Sequence, residues 1–341
     1  MGGVHCEKWH NSEHEDSTMN IAPLDIPSRL DDEHRPLFEG APRPMRDWSD
    51  IPGTRARMTE MRSTLPQPTL PPNVLITDRQ VPGPAENPDI NVRLYQRKDL
   101  PKPAAALYWI HGGGMVMGSV EMNDPYCSNI ADELNVLVVS VEYRLAPENP
   151  FPAPLEDCYA GLLWLWQAQE ELGLDPTRIA VGGASAGGGL AAGIALAARD
   201  RGEIPLCYQQ LVYPMLDDRN TTRSSHAVQD SRTWNREANL AGWNAYLAGN
   251  AGKEDVSPYA APARATALEG LPPAYINVGD LDLFVDEDVA YARAMADAGV
   301  PVELHIYPGA YHGSNSAVPT SALANRWSAD ELSALRRALI G

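Results

Sequence analysis

From residue 73 onward, short and almost wholly apolar runs alternate with longer stretches of helical period. The runs ALYWIH, VLVVSVEY and RIAVGGA are the strongest, and strands with so little polar content must be buried on both faces. The pattern predicts strands at 73–81, 90–97, 104–111, 136–143, 178–183, 206–213, 274–279 and 302–308. It predicts helices at 121–135, 154–171, 185–201, 285–298 and 321–339. Such alternation implies crossover connections and a mostly parallel eight-stranded sheet flanked by helices, an α/β fold. Only a short Pro/Gly/Asn turn joins the first two strands, so the sheet should start antiparallel. Two regions break the rhythm. Residues 1–72 hold short amphipathic stretches (DDEHRPLFEG, GTRARMTEMRSTL) and two tryptophans, Trp9 and Trp48, but too little apolar content for a core of their own. They should lie on the rest of the chain. Residues 217–272 form a long insertion carrying Trp234, Trp243 and Tyr246, expected on helices. Insertions at a strand's carboxyl end tend to build pockets.

With 341 residues the expectation is one large α/β domain with insertions, or two domains. The net charge of −18, with no basic stripe, speaks against nucleic acid and against an anionic membrane surface as partners. Cys6, Cys127, Cys158 and Cys207 lie far apart without a CxxC pair, which fits neither a zinc site nor a disulfide scaffold. The first twenty residues contain no apolar signal core, and nowhere do eighteen apolar residues follow one another. The expectation is therefore a soluble, reduced, cytoplasmic protein with no membrane partner.

Chemistry concentrates at strand ends. The strand RIAVGG runs into Gly183-Ala184-Ser185-Ala186-Gly187 and then an Ala-rich helix, which is G-x-S-x-G in the strand–turn–helix setting that exposes a nucleophilic serine. Side chains two positions either side would strike the adjoining strand and helix, and the helix N-terminus favours a developing oxyanion. The same stretch satisfies a dinucleotide fingerprint through Gly187, Gly189 and Ala192. However, its first glycine falls about four residues beyond the strand end, and no acid stands on a following strand. The strand ALYWIH ends in His111-Gly112-Gly113-Gly114. A phosphate-binding loop would continue GK[ST], whereas MVM follows, so an oxyanion hole using the amides of Gly113, Gly114 and Ala186 is the better reading. His111 itself should brace that loop. Three histidines follow Ser185. His226 lies in the insertion, His305 inside a predicted strand, and His312 just past a strand end in AYHGS, where a catalytic base belongs. The acid should lie beyond PAYINVG, where Asp280, Asp282, Asp286, Glu287 and Asp288 crowd. Asp286 to Asp288 open a helix as ordinary dipole complements, and Asp282 on the loop is preferred.

Together these pieces resemble the bacterial hormone-sensitive-lipase-like carboxylesterases (family IV) of the α/β-hydrolase fold. The resemblance rests on HGGGMVMGS, SVEYRLAPENPFPAPLEDCYAGLLWL, DPTRIAVGGASAGGGLAA, VSPYAAP, GDLDLFVDED and YPGAYHG, spread over about residues 104–313. It implies Ser185 as nucleophile, Asp282 as the aspartate of the acid loop, His312 as base, and Gly113, Gly114 and Ala186 as oxyanion donors. The chain departs from the family where Leu283 replaces the proline of D-P-L and where Ala184 precedes the serine. The resemblance further implies a helical cap built from residues 1–72 and 217–258, around a catalytic core of residues 73–216 and 259–341. It implies hydrolysis of small-molecule esters with short to medium acyl chains, no cofactor or metal, and a homodimer as a common state. Met115, Met117 and the cap tryptophans would wall the pocket. A catalytically weak ligand-binding protein of the same fold, or a lactonase or amidase sharing the triad, are the alternatives.

Overall fold

The computed structural model describes residues 21–41, 46–64, 68–85 and 87–341; Cys6 and Trp9 lie outside them. Eight strands form one sheet: β1 (Val74–Val81), β2 (Ile90–Arg97), β3 (Ala104–Ile110), β4 (Leu137–Glu142), β5 (Leu174–Ala184), β6 (Tyr208–Val212), β7 (Ala274–Gly279) and β8 (Val302–Tyr307). Their order is β1-β2-β4-β3-β5-β6-β7-β8. The β1–β2 and β2–β4 pairs are antiparallel and every other pair is parallel, so the antiparallel start expected from the short turn is present. All seven residues of β3 are buried, as are the five of β6 and the six of β7. These strands lie mid-sheet, covered on both faces by helices.

The helices are α1 (Ile26–Arg29), α2 (Arg35–Gly40), α3 (Ile51–Ser63), α4 (Asp124–Leu134), α5 (Ala153–Gln167), α6 (Gln169–Leu172), α7 (Ala186–Arg201), α8 (Arg223–Ala227), α9 (Arg236–Tyr246), α10 (Val285–Asp297), α11 (Ser314–Ala317) and α12 (Ala322–Leu339). Residues 186–198 of α7 are all buried, which explains its Ala/Gly composition: only small side chains let a helix pack on every side. The amphipathic α12 starts on Ser321, whose hydroxyl accepts from the Ala324 amide at 3.0 Å. Four segments leave carboxyl ends of the sheet close together: the loops after β3, β5, β7 and β8.

Two expectations need correction. Trp234 is not helical; it lies in the loop before α9, while Trp243 and Tyr246 do lie on α9. The other concerns α3, which has no continuous apolar stripe. Only Ile51 and Thr54 are buried, and Met61 is 53% exposed. Its attachment is polar. Among the described residues no helix is long and apolar enough to cross a membrane.

Candidate active site

Ser185 stands between β5 and α7 at φ 57°, ψ −121°, a region that side chains other than hydrogen strongly disfavour. The surroundings impose it. The Ser185 amide donates to the Val212 carbonyl at 2.8 Å, and its own carbonyl accepts from Gly189 and Met215 amides, each at 3.0 Å. A Cβ on Gly187 would overlap the carbonyl oxygens of Ile110 and His111, and one on Gly183 would collide with the Gly187 carbonyl, so the small residues of the motif serve backbone-to-backbone packing. That close packing also accounts for the glycines of the dinucleotide-like stretch, which face protein backbone on α7.

The loop after β8 brings His312 to the serine, and the loop after β7 brings Asp282 to the histidine. Ser185 Oγ lies 3.0 Å from His312 Nε2, and His312 Nδ1 lies 2.7 Å from Asp282 Oδ2. A carboxylate only accepts, so Nδ1 carries the proton and Nε2 is left to accept from the serine hydroxyl. Asp282 Oδ1 takes the Phe284 amide at 3.1 Å, and the carboxylate is fully buried. The imidazole is held edge-on by Tyr213 (4.7 Å between centroids) and Phe284 (5.2 Å). Tyr213 is itself left-handed, with φ 34°.

The competing acids have other work. Asp280 pairs with Arg29 at 2.7 Å and accepts the Gly309 amide at 2.7 Å. Asp286 accepts the Ser224 amide in the first turn of α8 at 2.7 Å. Glu287 accepts the amides of Leu216 and Asp217, where the insertion begins, at 2.8 and 3.2 Å. Burial pushes the carboxyls of Glu287 and Asp288 well above the ordinary range, with neighbouring acids adding to the rise. His226 lies on α8. His305, on β8, is half-buried and contacts Glu303 and Asp330.

The glycine loop lies against the serine: a Cβ on Gly112 would stand 3.3 Å from Ser185 Cβ. Gly113 (φ 124°) and Gly114 (φ 64°) take conformations that L side chains resist. The orientation of their N–H groups follows from peptide planarity, because each N–H is rigidly opposite the preceding carbonyl. The Gly112 carbonyl accepts from His111 Nδ1 at 2.8 Å, which fixes the Gly113 N–H. The Gly113 carbonyl accepts from Val116 and Met117 amides at 3.2 and 3.0 Å, which fixes the Gly114 N–H. The two donors on the Ser185 carbonyl fix the Ala186 N–H in the same way. His111 is fully buried, stacked on Tyr143 at 4.2 Å, and burial lowers its pKa to about 4. It is therefore neutral at physiological pH, a brace rather than a proton carrier.

The N-terminal segment and the insertion meet beside this loop. The Trp234 ring occupies the space a Gly114 side chain would need, Trp48 packs edge-on against it at 5.7 Å, and Met115 and Met117 are buried nearby. Further along, the Leu24 amide donates to the Ala227 carbonyl at 2.8 Å, and the Asp31 amide donates to the Gly309 carbonyl at 3.1 Å. Phe38 packs on Tyr311 at 4.8 Å, next to His312 in the chain. Sequence reading missed Tyr213, Phe284 and the anchors of the N-terminal helices. A single aromatic beside a proline, or one of three arginines on a polar helix, leaves no periodic signal.

Comparison with known proteins now bears on this arrangement. The alpha/beta hydrolase fold family matches residues 107–315. Esterase LipI of Mycobacterium tuberculosis is 38% identical over 251 residues, 73% of this chain and 78% of the relative. Carboxylesterase NlhH of the same species is 37% identical over 295 residues, covering 84% and 88% of the two chains. Among solved structures, a bacterial heroin esterase has a TM-score of 0.86 at 42% identity, covering 92% of this chain and 99% of that one. Esterase LipW from Mycobacterium marinum has a TM-score of 0.83 at 33% identity, covering 94% and 99%.

Proposed function

The chain belongs to the hormone-sensitive-lipase-like carboxylesterases of the α/β-hydrolase fold, and on that premise we propose that it hydrolyses short- to medium-chain esters through Ser185, His312 and Asp282. The continuous contact from Asp282 through His312 to Ser185 carries this reading. A free serine hydroxyl is a weak nucleophile, so His312 Nε2 takes its proton as Oγ attacks the ester carbonyl. The carbonyl π electrons move to oxygen, and the resulting oxyanion is met by the amides of Gly113, Gly114 and Ala186. One such donor is worth about 2.7–4 kcal/mol in the transition state. Collapse expels the alkoxide, which the imidazolium protonates. Water, deprotonated by His312, then opens the acyl-enzyme and returns the serine. Asp282 keeps the tautomer and faces the positive charge.

In this reading residues 1–72 and 217–258 form the cap, and residues 73–216 and 259–341 the catalytic core. Trp234, pressed against the glycine loop and backed by Trp48, supports a preference for acyl chains of up to roughly eight carbons, since it bounds the space beside the donors. The test is a panel of aryl esters from acetyl to palmitoyl, with Ser185→Ala as the blank. Turnover of the short esters is expected to fall on the order of 10⁴-fold or more in the variant. Near-native turnover by Ser185→Ala would remove the nucleophile, and faster hydrolysis of palmitoyl than butyryl esters would remove the chain-length preference.

A further inference from the structure

Helix α3 buries little apolar surface, only Ile51 and Thr54 being buried, and one of its side chains reaches the glycine loop. The Arg55 guanidinium donates from Nε to the Val116 carbonyl at 2.8 Å and from Nη2 to the Ala146 carbonyl at 2.8 Å. It also grips Glu148 with both terminal nitrogens, each at 2.9 Å. Val116 is fully buried and belongs to the glycine loop. The Ala146 amide in turn donates to the Met115 carbonyl at 2.9 Å. Arg55 therefore holds the loop directly at Val116 and, through Ala146, at Met115.

We propose that Arg55 is a positioning residue for the oxyanion hole, acting on the Gly114 N–H through two peptide groups; this rests on the reading of Gly114 as an oxyanion donor. The path is short. The Val116 carbonyl shares a rigid peptide with the Met117 N–H, which donates to the Gly113 carbonyl at 3.0 Å. The Gly113 carbonyl shares its peptide with the Gly114 N–H. A cation on the first carbonyl fixes the plane of both groups. It also polarises them in series, because hydrogen bonds in a chain strengthen one another. Without it the loop keeps its glycines but loses what aims and strengthens one donor. Lysine cannot substitute, since a single ammonium cannot reach Val116, Ala146 and Glu148 in the planar fork that guanidinium presents.

The N-terminal segment thus contributes to chemistry as well as to covering the substrate. A loop that lets one donor drift should lower kcat and leave KM largely untouched, because the donor matters most when charge has developed.

The experiment compares Arg55→Ala, Arg55→Lys and Glu148→Gln with the native protein on a butyryl aryl ester. Competent sites are counted by titration with a p-nitrophenyl phosphonate. Per titrated site, kcat of Arg55→Ala should fall about 10- to 100-fold with KM within about threefold. Added guanidinium chloride at low millimolar concentration should restore part of it, and ammonium chloride should not. Arg55→Lys should stay impaired. Glu148→Gln keeps the Val116 bond and should lose less than about threefold. If Arg55→Ala keeps kcat within twofold while Ser185→Ala is dead, the positioning role is wrong and the esterase reading stands. An active Ser185→Ala would sink the reading beneath it. A loss that guanidinium does not rescue, or an equal loss in Glu148→Gln, would make Arg55 a structural brace only.

Discussion

Replacing Asp282 by Asn tests the acid assignment, and the geometry sets how much it should cost. In the native chain one carboxylate oxygen accepts from His312 Nδ1 and the other from the Phe284 amide. Asparagine has one oxygen. If that oxygen stays on Phe284, the NH₂ group faces Nδ1, which must then accept; the imidazole proton moves to Nε2, and the serine has lost its base. The reversed amide keeps the competent tautomer but sets NH₂ against the Phe284 N–H in a buried site, at a cost of about 1–3 kcal/mol. Either way the charge facing the imidazolium is gone, and a charge-assisted bond of that kind contributes about 1.5–3 kcal/mol. The two effects together predict a fall in kcat of roughly 10²–10⁴. The assay is steady-state hydrolysis of a butyryl aryl ester at neutral pH, corrected by phosphonate titration. A variant retaining more than a tenth of native kcat would refute the reasoning. So would a larger loss in Asp286→Asn.

Three further outcomes follow from the same contacts. Asp286→Asn should keep kcat within about threefold and lower stability by about 0.5–1 kcal/mol, read by thermal melting, because the amide oxygen can still accept from Ser224 while the charge at the helix starts is lost. Glu331 is buried, accepts from Asn277 (2.8 Å) and Trp327 (2.7 Å), and is pushed up by burial to about 7. Between pH 4.5 and 7 the unfolded chain releases this proton while the folded chain keeps it, so stability falls as pH rises through that window. Glu331→Gln is expected to melt like the native protein near pH 5 and to gain about 2–3 kcal/mol on it by pH 8; a gap that does not widen with pH would count against the assignment. Deleting residues 1–45 removes the contacts of Asp31 with Gly309 and of Phe38 with Tyr311, which support the segment leading to His312. It should lower kcat/KM about tenfold or more with far-ultraviolet dichroism largely kept, and an unchanged kcat/KM would show the segment to be dispensable.

The eight strands were legible to within a few residues: in the central ones burial on both faces leaves an unbroken apolar run, whereas the edge strands β1 and β8 are partly exposed and of mixed composition. β5 begins earlier than expected because its first turn, through Pro176 and Arg178, is polar and lies at the sheet's rim. Ser185 and the glycine loop were legible because strained backbone and close packing restrict composition locally. His312 was legible by position alone. The choice of Asp282 over Asp286 was not periodic information; it depends on which carboxylate reaches across the sheet edge and which turns to Ser224 in the insertion. Arg55 was hidden altogether. Its two loop partners lie 61 and 91 positions away and are backbone carbonyls, which any residue type supplies.

The backbone at Ser185 has a consequence for how such a protein changes over time. Glycine would be at ease at φ 57°, ψ −121°, whereas a residue with a side chain carries about 1–3 kcal/mol of strain there. On the proposed mechanism, robustness and turnover therefore oppose one another at this residue. A lineage freed from the need to cleave esters would gain thermal resilience by surrendering its hydroxyl first. The histidine, the aspartate and the glycine loop are each knitted into neighbouring strands and would linger. Retirement from catalysis should thus leave an almost intact scaffold with a single vacancy at the elbow.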